Sequence, residues 1–148
     1  MSTPVVDLSQ TSILGEIVLR AGNSTDPNAR RSMKAAYERA DPMYPDTIGL
    51  SVLFRPGATV DELAREGSFR HPKLGYAKVS QLMQALAQVG YELVLFVTPH
   101  PDLPTPLPDH HSLAVARSGQ VEAKLADDAA DALLHTLTTM DNPYQTKP

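Results

Sequence analysis

Residues 79–98 carry the pattern that most constrains the fold of this chain. Apolar residues recur there at helical spacing: Val79, Leu82, Met83 and Leu86. This spacing places them on one side of an amphipathic helix. Gly90 is typical of a helix C-terminus, and the apolar stretch 91–98 that follows is typical of a buried central strand. A helix leading directly into such a strand predicts a core between helices and a sheet.

Other segments carry local signals for helix and strand. Asp26 followed by Pro27 predicts a helix that runs to residue 40, because a capping side chain before proline is typical of a helix N-terminus. Thr59 and Glu62 have the spacing of a capping box, which predicts a short helix ending near residue 67. The remaining predictions are a strand at 48–54, a hairpin of 112–117 and 120–125, and a final helix from Asp127 that Asn142–Pro143 stops.

The order helix, strand, helix, helix, strand, hairpin, helix predicts an α+β fold: a small, mostly antiparallel sheet packed with three to four helices. A chain of 148 residues fits one domain. We place that domain at residues 25–143, with 1–24 as an N-terminal segment and 144–148 as a C-terminal tail. Periodicity leaves 13–19 open as strand or helix. Five prolines in 99–108 predict an extended surface segment without strand pairing.

Composition excludes several classes of function. The chain has no cysteine, which excludes disulfides, thiolate metal sites and cysteine nucleophiles. It shows no signal-peptide pattern and no apolar run near the roughly 20 residues of a membrane span, so we expect a cytoplasmic protein without membrane contact. The net charge of −4 opposes nucleic-acid binding by the whole surface. Neither a P-loop nor a Rossmann glycine pattern is present, so the sequence gives no support for an enzyme.

Basic residues are concentrated between residues 65 and 78, where Glu66 is the single acid. We predict a local face that binds RNA or DNA through Arg65, Arg70, Lys73, Tyr76 and Lys78. Lysine and arginine contact phosphates, a tyrosine can stack on a base, and the helix that begins near Val79 adds the positive end of its dipole. The alternative is that Gly75–Tyr76 forms a turn with an anchoring aromatic, among scattered solvated charges.

The same segment resembles the signature of OST-HTH (LOTUS) domains over residues 69–83. There a phenylalanine precedes a Gly-Tyr pair, a lysine and the start of a helix. The matching residues are Phe69, Gly75, Tyr76, Lys78, Val79, Ser80, Leu82 and Met83. The resemblance implies a small winged-helix fold that binds RNA or protein partners, with strand 91–97 and hairpin 112–125 in place of the wing. The predicted strand 48–54 and the proline-rich loop depart from the family pattern.

Two further patterns bear on the kind of site that this chain could form. Arg55 after a strand, and Gln120-Val121-Glu122 after a turn, loosely look like the layout of ADP-ribosyltransferases. There an arginine grips the dinucleotide and a glutamate stabilises developing positive charge; the Ser-Thr-Ser element of that family is absent. The five histidines (71, 100, 110, 111 and 135) show no metal-ligand spacing, and adjacent His110 and His111 would point to opposite sides of a strand. We therefore predict no metal and no cofactor.

The sequence thus favours a small binding module with RNA or DNA as ligand. A protein-interaction role, as an adaptor or immunity-type regulatory protein, suits the acidic balance and the proline-rich loop equally well. An ADP-ribosyltransferase-like enzyme using Arg55 and Glu122 is the third hypothesis.

Overall fold

A computed structural model describes residues 4–39, 48–67, 69–98 and 109–146. In those residues four α-helices pack on a seven-stranded antiparallel sheet, which confirms the predicted α+β class. The helices are α1 (Ala29–Glu38), α2 (Val60–Gly67), α3 (Val79–Gln88) and α4 (Asp127–Thr136). The strands are β1 (Ile17–Ala21), β2 (Leu50–Phe54), β3 (Lys73–Lys78), β4 (Glu92–Val97), β5 (His110–Arg117), β6 (Gln120–Val121) and β7 (Thr138–Asp141). The proline-rich segment 99–108 lies outside the described residues.

The strand order is β4-β5-β2-β1-β3-β7, with β6 paired to the end of β5. Several local predictions are confirmed within this sheet and its helices. The Glu62 amide donates to the Thr59 hydroxyl at 3.1 Å, as a capping box requires. Ser118 and Gly119 have φ of 53° and 79°, the two positive values of a tight hairpin turn. Gly90, with φ of 88°, follows α3.

The sheet has two covered faces. One face, called the three-helix face, packs against α1, α3 and α4 and holds the larger core, which includes Val18, Met33, Leu82, Leu95 and Leu133. The other, the α2 face, packs against α2 around Leu19, Leu53, Leu63, Ala64 and Leu74. Because successive strand residues point to opposite sides, Val18 and Leu19 of β1 enter different cores.

Three strands differ from what the sequence predicts. The segment 13–19, left open as strand or helix, contributes to β1, which pairs with both β2 and β3 in the middle of the sheet. The structural unit therefore extends N-terminal to residue 25. The last helix ends at Thr136 rather than at Asn142, and β7 follows it. Gly75 and Tyr76 lie inside β3, between β1 and β7, and not in a turn.

Within the described ranges, no helix has the length and apolar character needed to cross a membrane.

Candidate nucleic-acid interface

Strand β3 distributes the predicted ligand-binding residues over both faces of the sheet. Leu74 belongs to the core of the α2 face, and Tyr76 packs against that core half-buried. Lys78, two residues further on, lies on the same face and is exposed. Lys73 and Gly75 alternate with them and lie on the three-helix face. The strand therefore brings Tyr76 and Lys78 together and separates both from Lys73.

Lys73 is also neutralised. Its ammonium group pairs with the Asp141 carboxylate across the β3–β7 ladder, where the two residues are directly opposite each other. The prediction that Lys73 shares one basic face with the other four residues is therefore wrong. The reason is the two-residue period of the strand at 73–78, a strand that the local sequence pattern does not indicate.

Arg65 and Arg70 are exposed at the C-terminal end of α2 and in the loop that follows it. Arg65 lies in the last turn of α2, and Arg70 lies between α2 and β3. Among the described residues, no carboxylate forms an ion pair with Arg65, Arg70 or Lys78. These cations are therefore available to a ligand.

The acids of α2 are occupied by other partners. Arg55 places one guanidinium nitrogen 2.6 Å from Glu66 and 2.6 Å from Asp109, and the other 3.3 Å from Glu62. The hydrogen bond that Arg55 donates to Glu66 is the main cause of the raised pKa of Arg55. Arg55 thus ties the end of β2 to α2 and to the start of β5. Its partners are protein carboxylates.

The C-terminal segment completes the α2 face, and sequence reasoning missed it. The Tyr144 hydroxyl donates to Asp61 of α2 at 2.7 Å. This bond, followed by burial and the Asp61 charge, raises the pKa of Tyr144, while the nearby charge of Arg65 lowers it. Tyr144 also packs against the core of the α2 face. An aromatic ring therefore lies near Arg65, on the same face as Tyr76.

Asn142 fixes the loop that carries Arg70. This buried side chain donates from Nδ2 to the carbonyl oxygens of Phe69 at 3.1 Å and His71 at 2.9 Å. Gln145 donates to the Arg70 carbonyl at 3.0 Å. These partners are more than 70 residues apart in sequence, so no local signal reveals them. The loop backbone is held in place while the Arg70 side chain stays exposed.

Arg55 and Glu122 do not share a cleft. The Phe54 amide bonds to Asp109 before β5, whereas the Glu122 amide bonds to Val115 near the far end of β5. Six residues of extended strand separate these points by about 20 Å. Arg55 also contacts α2, whereas the Glu122 carbonyl accepts from Tyr37 of α1, on the three-helix face. The arrangement expected of an ADP-ribosyltransferase is therefore contradicted at these residues.

The two histidines of β5 are buried and bonded to backbone. His110 Nδ1 lies 2.6 Å from the Thr98 carbonyl oxygen, and His111 Nδ1 lies 2.7 Å from that of Asp109. Burial lowers the pKa of His111. His71 and His135 are exposed, and His100 lies outside the described residues. No group of three His, Asp or Glu side chains in the described part of the chain is placed to hold a metal ion.

Two open grooves border α4. One, of about 410 Å³, lies between α3 and α4 and includes Asp131 and His135. The other, of about 400 Å³, lies between α1 and the start of α4 and includes Arg30 and Lys34. Arg30 of α1 pairs with Asp131 of α4 at 2.9 Å, and Lys34 of α1 pairs with Asp127 of α4. These two ion pairs therefore join α1 to α4.

Comparisons of this chain with protein-family models, with curated proteins and with solved structures find no match.

Proposed function

We propose that the protein binds single-stranded nucleic acid on the α2 face. The surface comprises Arg65, Arg70, Tyr76, Lys78 and Tyr144. The observation that carries the proposal is the charge pairing on this face. The acids of α2 are engaged by Arg55 and Tyr144, while the three cations have no carboxylate partner among the described residues.

The residue types suit a single strand. Phosphates are bound by exposed lysine and arginine, whose contacts release counterions. Aromatic rings on the same surface offer stacking sites to unpaired bases, at about 1–3 kcal/mol per base. Tyr76 is half-buried, so its position is set by the sheet while part of the side chain stays accessible. A duplex keeps its bases stacked and would gain only the phosphate contacts.

Two further considerations support this ligand class. The resemblance of residues 69–83 to LOTUS domains implies RNA or protein partners. The net charge of −4 also restricts phosphate binding to a local cationic surface, since charges are screened beyond about 8 Å at physiological salt.

The direct test is fluorescence anisotropy with labelled single-stranded RNA and DNA and with a duplex. We expect the double variant Arg70→Glu/Lys78→Glu to weaken single-strand binding similarly for all sequences. It should also reduce the salt dependence of log K by about 0.7 for each lost phosphate contact. The matched control is Arg31→Glu, which changes an exposed arginine on α1 that forms no ion pair with any described residue. It should leave affinity unchanged.

Stacking is tested separately with Tyr76→Leu, which keeps an apolar side chain against the core but removes the ring. Affinity for single strands should fall by about 1–3 kcal/mol, while Tyr76→Phe should bind normally. Binding that survives the double charge reversal, or a duplex bound more tightly than a single strand, would exclude this surface as the proposed site. No nucleic-acid binding at about 0.15 M salt would favour a protein partner instead.

A further inference from the structure

A second cationic position lies on the opposite side of the sheet. Arg20 of β1 pairs directly with Gly75 of β3, and Gly75 pairs with Thr139 of β7. Paired residues of neighbouring strands point to the same face. Val18, two residues before Arg20, lies in the three-helix core. Arg20, Gly75 and Thr139 therefore form a row across three strands on the three-helix face.

Side chains of Ser24 and Leu137 fill the space above Gly75 in the middle of this row. A β-carbon at position 75 would lie only 2.7 Å from the Ser24 Oγ and 3.5 Å from the Leu137 Cβ. The Ser24 hydroxyl thus lies directly above Gly75. The Arg20 side chain turns toward the same loop, since one of its guanidinium nitrogens would lie 3.5 Å from a β-carbon at position 22.

Among the residues that the structure describes, none compensates the charge of Arg20. The side chain is mostly buried, and no residue in the described part of the chain gives it a hydrogen bond or an ion pair. Burial lowers the pKa of Arg20, and no carboxylate among the described residues offsets that effect. Buried charges in folded proteins are normally paired, because removing an ion from water is costly.

Thr139 presents an independent anomaly in the same row. Its Oγ1 is buried and has no hydrogen-bond partner within the described ranges. Such groups are rare and call for an explanation, since an unmade buried hydrogen bond is destabilising. A guanidinium and a hydroxyl that lack protein partners therefore face the same side of three adjacent strands, with a second hydroxyl above the glycine between them.

We propose that Arg20, Ser24 and Thr139 form a binding site for one small oxyanion, a phosphate group. Arginine offers two parallel N–H donors to such a group, and the hydroxyls supply further donors. The next row on this face contains Gly22, Lys73 and Asp141, and its charges are consistent with this ligand. There Gly22 bonds to Lys73, and Lys73 pairs with Asp141, whose carboxylate points to the same face. Arg20 leaves an excess of one positive charge over the two rows.

The site is tested by thermal unfolding and isothermal titration calorimetry with inorganic phosphate, at ionic strength matched with sodium chloride. The melting temperature should rise with phosphate, as a ligand of the native state requires. Arg20→Met should weaken phosphate affinity at least about tenfold. The control Arg31→Met, at an exposed arginine of α1, should respond like wild type.

Thr139→Val is the second variant, and it carries a distinct signature. It removes a buried, unpartnered hydroxyl at nearly constant volume, so the protein without phosphate should be at least as stable as wild type. Its gain in melting temperature with phosphate should nevertheless be smaller. A structural role for the hydroxyl predicts lower stability without phosphate and an unchanged phosphate response, and that result would overturn its part in the site.

A parallel titration with glycerol 3-phosphate separates a free ion from a phosphate ester. Tighter binding of the ester than of inorganic phosphate, lost in Arg20→Met, would identify a phosphorylated small molecule as the ligand. Tighter binding of inorganic phosphate, lost in the same variant, would identify the free ion. If neither compound raises the melting temperature above that in sodium chloride, or if Arg20→Met responds like wild type, the proposal is wrong.

Discussion

At the scale of single residues, some buried polar groups find their partners far away in the sequence. The Tyr37 hydroxyl, fully buried, accepts from the Val115 amide at 3.2 Å and donates to the Glu122 carbonyl at 2.8 Å. Burial is the main cause of its raised pKa. The helical spacing of Tyr37 indicates the inward-facing side of α1, but only the fold supplies the two backbone partners. Helical periodicity reveals which residues are buried and not what they bond to.

The burial of His111 gives a prediction for the dependence of stability on pH. Burial holds the pKa of His111 below its ordinary value of 6.5, while the Asp109 carbonyl and charge partly oppose that effect. The unfolded chain therefore binds the proton more readily than the folded protein. The stabilisation is complete above the ordinary pKa and is lost as the pH falls below 6.5, with a slope of at most about 1.4 kcal/mol per pH unit.

Urea melts between pH 7.5 and pH 5 measure this effect. His111→Gln should flatten the dependence of unfolding free energy on pH over that range, whatever its cost in stability at pH 7.5. The control Gln84→Ala, at an exposed position of α3, changes no titratable group and should leave the slope as in wild type. Asp127 and Asp131 do not confuse the result, because their lowered pKa values move their effect below pH 3.8. An identical slope in His111→Gln and wild type would contradict the assignment.

At the scale of elements, the sequence predicts the helices and strands whose own residues carry a clear apolar pattern. It misses the strands whose conformation depends on pairing with other strands. Helix α3 and strand β4 were predicted within one or two residues. Strand β3, with the sequence Lys-Leu-Gly-Tyr-Ala-Lys, has no β-branched residue, and its place between β1 and β7 decides its conformation. Strand β7 follows α4 after a single residue, and its residues fall within the final helix that the sequence predicts.

The candidate interface likewise contains some residues that the sequence indicates and others that only the fold brings to it. A cluster of cations in the sequence identified Arg65, Arg70 and Lys78, and an aromatic next to glycine identified Tyr76. Lys73 was wrongly grouped with them, because its side of β3 depends on strand register. Tyr144 and Asn142 carried no signal, since their partners lie in α2 and in loop 69–72, both far from them in sequence.

The apolar stripe of α3 yields a stability prediction for this element. Leu82 is fully buried in the three-helix core. Leu82→Ala should therefore lower the free energy of unfolding by about 2–5 kcal/mol, through lost apolar burial and the cavity left behind. The measurement is urea denaturation followed by circular dichroism. Gln84→Ala, at an exposed position of α3, should stay within about 0.5 kcal/mol of wild type. A loss below that limit for Leu82→Ala would indicate that the stripe is an exposed interaction surface.

At the scale of the whole molecule, the sheet separates two cationic regions of an acidic protein. Many of the basic residues are used internally: Arg30 and Lys34 join α1 to α4, and Arg55 joins β2 to α2. Those without a carboxylate partner among the described residues include the exposed cations of the α2 face and the mostly buried Arg20 on the three-helix face. Strand β3 contributes to both regions, with Tyr76 and Lys78 on one side and Gly75 on the other. Alternation along this one strand sets the two proposed sites back to back.

This separation predicts that the two sites act independently. Residues more than about 7–10 Å apart without shared partners usually have additive effects. Arg20→Met should therefore abolish the phosphate response and leave single-strand affinity within about twofold of wild type. Arg70→Glu/Lys78→Glu should weaken single-strand binding and leave the rise in melting temperature with phosphate intact. Both variants are measured in both assays.

The combined variant completes the comparison. Its losses should equal the separate losses, because neither substitution changes the surface that the other occupies. A more than about tenfold loss of oligonucleotide affinity in Arg20→Met would instead mean that Arg20 supports the α2 face through the sheet. The two regions would then be one coupled site, although β3 turns their side chains to opposite sides.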